Sequence, residues 1–121
     1  MADKWIVNKE WPDLILERLE DAGVARITLN RPEKRNAIND AIRGDLIATL
    51  DWADRSPDVR ALVITGNGKG FCAGGDITAM RERLSAPQGR VGINGWQRQR
   101  RTHHLLTMLH DIPKPTIAAV N

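Results

Sequence analysis

Tyrosine is absent from this 121-residue chain, phenylalanine and cysteine occur once each, and aromatic residues make up only 4% of the sequence. With so few rings, aliphatic side chains must build most of the core. The single cysteine, Cys72, excludes an internal disulfide and stands in no CxxC or Cys/His spacing suited to a metal, so a reducing compartment fits. Beside Phe71 it reads as a small buried hydrophobe rather than a nucleophile. Also missing is any apolar window long enough to cross a bilayer, and Met1-Ala2-Asp3-Lys4-Trp5 has no basic segment followed by a long apolar one. The expectation is a cytoplasmic protein with no membrane partner.

What is present, 41% hydrophobic and 27% charged residues, is the balance of one soluble globular domain. A formal charge of +3 and a pI near 9.5 suit an anionic ligand, either the phosphates of a coenzyme or a nucleic acid. Much of the excess lies in Trp96-Gln97-Arg98-Gln99-Arg100-Arg101-Thr102-His103-His104, which reads as the solvated side of a helix. No aromatic interleaving or RNA-binding module accompanies it, so a nucleic-acid partner is disfavoured.

Leu14–Leu19 and Val24–Leu29 are strand-like runs joined by Glu20-Asp21-Ala22-Gly23, whose Asp and Gly form turns, and together they predict a hairpin. Asn30-Arg31-Pro32 stops the second strand, since proline cannot donate to a ladder, and a loop of Glu33, Lys34, Arg35 and Asn36 follows. From Asn39, a good N-cap, Ile42, Leu46, Leu50 and Ala53 recur every three or four residues and predict an amphipathic helix ending near Ser56-Pro57. Ala61-Leu62-Val63-Ile64-Thr65 predicts a strand buried on both faces, terminated by Gly66-Asn67-Gly68-Lys69-Gly70. Ile77–Leu84 is expected to be helical, residues 85–95 a mobile loop, and Trp96–His110 a second helix broken by Pro113-Lys114-Pro115. Thr116-Ile117-Ala118-Ala119-Val120 looks like a core strand, and its place at the end with nothing after it to cover it suggests a fragment. The element order is α/β in class, with no internal repeat or linker.

Two glycine-rich segments invite a chemical reading. Gly66-Asn67-Gly68-Lys69-Gly70 fits neither GxGxxG, which needs glycine where Phe71 stands, nor the P-loop, whose Gly-Lys-Ser/Thr ending is missing; it reads as a tight turn. Ala73-Gly74-Gly75-Asp76 lies between a strand's exit loop and a helix start, where free amides at the positive end of the helix dipole can stabilise an oxyanion. Asp76 can equally serve as an ordinary N-cap.

Four segments, in order and spacing, resemble the crotonase (enoyl-CoA hydratase/isomerase) family: Asn30-Arg31-Pro32-Glu33-Lys34-Arg35-Asn36-Ala37-Ile38, Ala61-Leu62-Val63-Ile64-Thr65-Gly66, Gly70-Phe71-Cys72-Ala73-Gly74-Gly75-Asp76-Ile77, and Lys114-Pro115-Thr116-Ile117-Ala118-Ala119-Val120-Asn121. The resemblance covers nearly everything from Leu14 onward. It implies a crotonase-like fold of repeated ββα units, with residues 1–121 as the N-terminal part of a single acyl-CoA-binding domain truncated after Asn121.

The resemblance also implies site roles. The Gly75 N–H would be the first oxyanion-hole donor to a thioester oxygen, with Ala73, Asp76, Ile77 and Thr78 lining the thioester and the CoA arm. Ala37 would lie near the adenine and Arg35 near a phosphate, while Met80, Leu84 and Trp96 either form an acyl pocket or are ordinary core. No metal is implied, and no cofactor beyond the coenzyme A carried by the acyl-CoA substrate. A homo-oligomer, trimer or hexamer, is expected of the family.

The family's second oxyanion donor and its acid/base carboxylates lie beyond Asn121, and Asp51, Asp54 and Glu82 look like exposed helix residues rather than a catalytic pair. The leading reading is therefore the CoA-binding and oxyanion part of a hydratase or isomerase working through an enolate-like intermediate. The alternatives are another crotonase chemistry, thioester hydrolysis or dehalogenation, and a non-catalytic RNA-binding member using the Arg98–His104 face.

Overall fold

A computed structural model describes residues 4–121. Its elements are β1 (Trp5–Trp11), β2 (Leu14–Leu19), β3 (Val24–Leu29), a 3-10 turn (Pro32–Lys34), α1 (Asp40–Arg55), β4 (Ala61–Gly66), α2 (Ile77–Arg83), α3 (Val91–Asp111) and β5 (Thr116–Ala119). The strands form one sheet in sequence order; β1, β2 and β3 pair antiparallel, and β4 and β5 then add in parallel. Parallel neighbours require a crossover, which α1 supplies between β3 and β4, and α2 with α3 between β4 and β5.

The hairpin turns through Asp21 and Gly23, both at positive φ, and its register sets Leu14 opposite Leu29 and Leu16 opposite Ile27. Strand side chains alternate between faces, so these four point to one side together with Ala25. There they meet the stripe Ile42, Leu46, Leu50 and Ala53 of α1, with Val59, Leu62, Leu105 and Ile112 closing the cluster. Burying each large aliphatic side chain contributes about 1.5–3 kcal/mol, so this layer is the main source of stability.

Both ends of α1 are held by specific groups. The Asn39 side chain accepts the Ile42 N–H at 2.9 Å, and Ser56 in extended geometry ends the helix before Pro57. Lys114 donates its Nζ to the carbonyls of Ala53 and Ser56, the latter at 2.8 Å. A cation at a helix C-terminus satisfies orphan carbonyls and the dipole together, which gives this lysine a structural role.

Several expectations need correcting. β1 was not foreseen, because Asn8, Lys9 and Glu10 break the apolar alternation and the strand bulges between Val7 and Lys9 on an exposed edge. β4 is not buried on both faces: Leu62 is fully buried, while Val63 and Thr65 on the other face are half-buried. β5 is not a core strand; all four of its residues are exposed at the sheet edge. The loop expected over 85–95 is shorter, because α3 begins at Val91 and contains Gly92 and Gly95. Each helical glycine costs only about 1 kcal/mol relative to alanine, less than a long helix gains by continuing its ladder and packing. The loop after β3 also contains helical structure, the turn over Pro32–Lys34.

Candidate functional site

β3 and β4 run parallel, so the segments that leave them, 30–39 and 67–76, emerge from the same carboxyl edge of the sheet. Ligands of open α/β sheets bind at that edge. The two segments are joined by a dense set of hydrogen bonds. Ala73 N donates to Arg35 O at 3.0 Å, Ile38 N to Gly74 O at 2.8 Å, and Asp76 N to Ile38 O at 3.1 Å. Two side chains complete the join. Asn36, fully buried and at φ 58°, accepts from Arg31 N at 2.8 Å and donates to Asn67 O at 3.0 Å and Gly70 O at 2.9 Å. Arg31 donates to Ala37 O at 3.1 Å and pairs with Asp76 at 3.1 Å. Gly66 makes the approach possible, since a Cβ there would collide with the Phe71 and Gly70 carbonyls.

Sequence reasoning missed Arg31 and Asn36 as organisers of this site. In sequence Arg31 is the residue before a strand-stopping proline, within the first resembling segment, and its partner Asp76 lies in a different loop. Asn36 carried one faint signal, because asparagine tolerates the left-handed conformation better than most residues.

Ile38 and Gly75 form a parallel bridge. In such a bridge one residue bonds to the two neighbours of the other, so the second residue's own N–H and C=O point away. Ile38 engages Gly74 O and Asp76 N, and the Gly75 N–H is left with no acceptor among the described residues. Gly75 is exposed, and Gly74 before it sits at φ 98°, a conformation that favours glycine and turns the chain outward. A Cβ on Gly75 would lie 2.6 Å from Met80 Cε, so the Met80 methyl occupies the space that a side chain at position 75 would need.

Asp76 is the N-cap of α2, accepting the Thr78 N–H at 3.0 Å, as well as the partner of Arg31. Burial pushes its carboxyl up, but the Thr78 N–H and the Arg31 guanidinium outweigh that and hold it below the ordinary carboxylate value. It is therefore an anion fixed within the scaffold, with no proton to give near neutrality.

The remaining expected site residues divide by exposure. Ala73, Ile77 and Thr78 are exposed beside Gly75; Arg35, at φ 51°, is exposed with its Cβ side toward Gly70; Ala37 is buried, with its carbonyl held by Arg31. No residue of α2 is buried, so Ile77, Met80 and Leu84, at helical spacing, present an open apolar stripe running away from Gly75. Trp96 is exposed and lies under the Arg100 guanidinium at 4.9 Å. Cys72 packs on the core and its Sγ accepts the Gly74 N–H at 3.4 Å.

Asp54 and Glu82 are exposed, and Asp51 pairs with Arg55 on the surface of α1. Two open depressions, of about 590 and 670 Å³, lie away from Gly75, at the hairpin turn beside Arg60 and between α1 and α3 beside Arg101. Among the described residues no group of three or more His, Cys, Asp or Glu is placed to hold a metal, and no helix is long and apolar enough to cross a membrane.

The 1,2-epoxyphenylacetyl-CoA isomerase of Escherichia coli K12 is 38% identical over 109 residues, covering 90% of this chain and 40% of its own length. The chain thus spans about two fifths of the curated relatives it matches. Among solved structures, an enoyl-CoA hydratase/isomerase from Xanthobacter autotrophicus Py2 superposes with a TM-score of 0.79 at 34% identity, over 93% of this chain and 39% of that one. A crotonase described as a putative enoyl CoA hydratase/isomerase, from Legionella pneumophila, gives 0.80 at 29% identity, over 93% and 41%. The fold is accordingly mixed α/β, an N-terminal portion of the crotonase fold. The family profile of enoyl-CoA hydratase/isomerase matches residues 19–121, and the chain belongs to that family.

Proposed function

We propose that this chain binds an acyl-CoA thioester at the carboxyl edge of β3 and β4 and polarises its carbonyl through the Gly75 N–H, as part of a hydratase or isomerase. The observation that carries the reading is that N–H: exposed, without an acceptor among the described residues, and aimed away from the bridge that fixes it. A donor held in place before substrate arrives needs no reorganisation as negative charge builds on the thioester oxygen, and such donors contribute about 3 kcal/mol each to lowering the barrier.

The neighbouring residues take roles that follow from their positions. Ala73, Ile77 and Thr78 line the thioester and the CoA arm, Met80 and Leu84 form the wall of the acyl cleft, and exposed Arg35 meets a CoA phosphate. Ala37, buried, contributes backbone near the adenine rather than side chain. Asp76 positions the site through Arg31 and Thr78 and exchanges no proton. Binding energy from the remote phosphate then serves to orient the thioester, so truncated thioesters should turn over poorly. The proton transfers that separate hydration from isomerisation require carboxylates other than Asp51, Asp54 and Glu82.

Thermal unfolding of the protein as its gene encodes it, with and without a CoA thioester, tests the reading. Saturating thioester should raise Tm. An unchanged Tm, together with RNA binding of steep salt dependence, would replace this function with a nucleic-acid one.

A further inference from the structure

Three arginines each retain a buried N–H with no partner among the described residues: Arg43 Nε, Arg83 Nη1 and Arg98 Nε. They come from three different helices, α1, α2 and α3. Arg43 is 4% exposed. Arg83 has Arg98, Asp40 and Arg43 as charged neighbours; burial first, and then Arg98, lower its pKa, while Asp40 acts the other way. Asp40 pairs with Arg43, its side chain is 69% exposed, and it is the one carboxylate that also acts on Arg83. Among the described residues Arg83 and Arg98 form no ion pair; Arg98 makes one long contact, 3.4 Å, to Gln99.

A buried guanidinium N–H without an acceptor costs free energy, and like charges brought together cost more, so this arrangement calls for an anion. The place of the cluster says which kind. Met80 touches the position of the Gly75 Cβ, and Arg83 follows Met80 by three residues, about 4.5 Å further along the helix axis. Arg35, proposed above to meet a CoA phosphate, instead has its Cβ toward Gly70 and its carbonyl bonded to Ala73 N, on the segment leading into Gly75. A thioester carbonyl at Gly75 would therefore send its CoA arm toward Arg35 and its acyl group along Met80 toward Arg83. Planar guanidiniums bind carboxylates through paired, charge-assisted hydrogen bonds.

We propose that Arg43, Arg83 and Arg98 form an anion site at the far end of the acyl cleft, and that the acyl group it accepts ends in a carboxylate. The substrate class is then a CoA monothioester of a dicarboxylic acid. The inference rests on the Gly75 reading of the site.

Calorimetric titration of the protein as its gene encodes it with glutaryl-CoA and pentanoyl-CoA, which differ only in a terminal carboxylate for a methyl group, tests the proposal. Glutaryl-CoA should bind about tenfold tighter or more, the effect of one or more charge-assisted hydrogen bonds. That ratio should fall toward one in Arg83→Met and, independently, in Arg98→Met, and should recover in part in Arg83→Lys; Arg43 is left intact because its burial couples it to folding. Equal affinity for the two thioesters overturns the proposal. So does an Arg83→Met protein that loses preference for CoA over dephospho-CoA while keeping the glutaryl preference, which would assign the cluster to a phosphate. If neither thioester nor CoA itself binds, the thioester reading of the whole site fails, and this inference with it.

Discussion

The two sides of Gly75 differ in how their polar groups are satisfied. On the side of the β3 and β4 loops, the Asn36 side chain makes three hydrogen bonds, Arg31 bridges Ala37 and Asp76, and Asp76 caps α2. On the side of α2 and α3, Arg83 and Arg98, with Arg43 of α1, keep N–H groups that have no partner among the described residues, and Ile77, Met80 and Leu84 stand open to solvent. The first side resembles a finished interior. The second has the composition of a surface prepared for an occupant, apolar along its length and cationic at its end. Gly75 sits at the boundary, with its flanking peptides engaged by Ile38 and its own N–H unengaged.

Substitutions on each side should break this contrast in opposite directions. The largest effect is expected at the boundary. Gly75→Pro deletes the N–H and should lower thioester turnover about 100- to 1000-fold with a smaller loss of CoA binding. Gly75→Ala keeps the donor and displaces only the flexible Met80 methyl, so its loss in steady-state assays should be much smaller. Equal loss of turnover and of CoA affinity in the proline variant would remove the donor role from Gly75.

On the satisfied side, Asn36→Ala leaves Asn67 O, Gly70 O and Arg31 N without their partner and forces alanine to φ 58°. Urea unfolding should show a loss of about 3 kcal/mol. Asp76 links this side to pH. Because its folded pKa is lowered, its contribution to stability is fully present above the ordinary value of 3.8 and disappears as pH falls through the lower folded value. Asp76→Asn should therefore reduce stability at neutral pH and flatten the acid limb of a Tm-against-pH profile below about pH 4. An unaltered acid limb would show that Arg31 and Asp76 are not coupled to folding.

The smallest effect is expected on the open side. Arg83→Met removes a cation that forms no ion pair among the described residues, and in the absence of ligand it should leave stability within about 0.5 kcal/mol of the parent or slightly above it. Arg31→Met, by contrast, leaves the Asp76 carboxylate without its cation and should lower Tm. If the two arginine variants are equally destabilised, the distinction between the two sides is lost.

How much of this could be read beforehand follows from the range of each interaction. The hairpin, α1, β4 and α2 are written in local periodicity, turn residues and caps: Leu14 and Leu16 against Ile27 and Leu29, Asn39 before α1, Asp76 before α2. β1 depends on pairing with a neighbouring strand, which no local pattern encodes; β5 is legible as a strand from its apolar run, but not its exposed place at the sheet edge; and the first turn of α3 is hidden behind Gly92 and Gly95. The segments around Arg35 and Gly75 stood out through family resemblance. Their junction through Arg31, Asn36 and Ile38 became visible only when β3 and β4 lay side by side. The Arg43, Arg83 and Arg98 cluster left no trace in sequence, because its members sit on three helices and look there like ordinary surface cations.

The central claim is that the Gly75 N–H reaches the thioester oxygen, and the carbonyl stretch of a bound, isotopically labelled CoA thioester reports that contact directly. Difference infrared spectra should show the band moving to lower frequency on binding to the parent protein and to Gly75→Ala, with most of the shift lost in Gly75→Pro. An equal shift in the proline variant, or no shift in the parent, would contradict it.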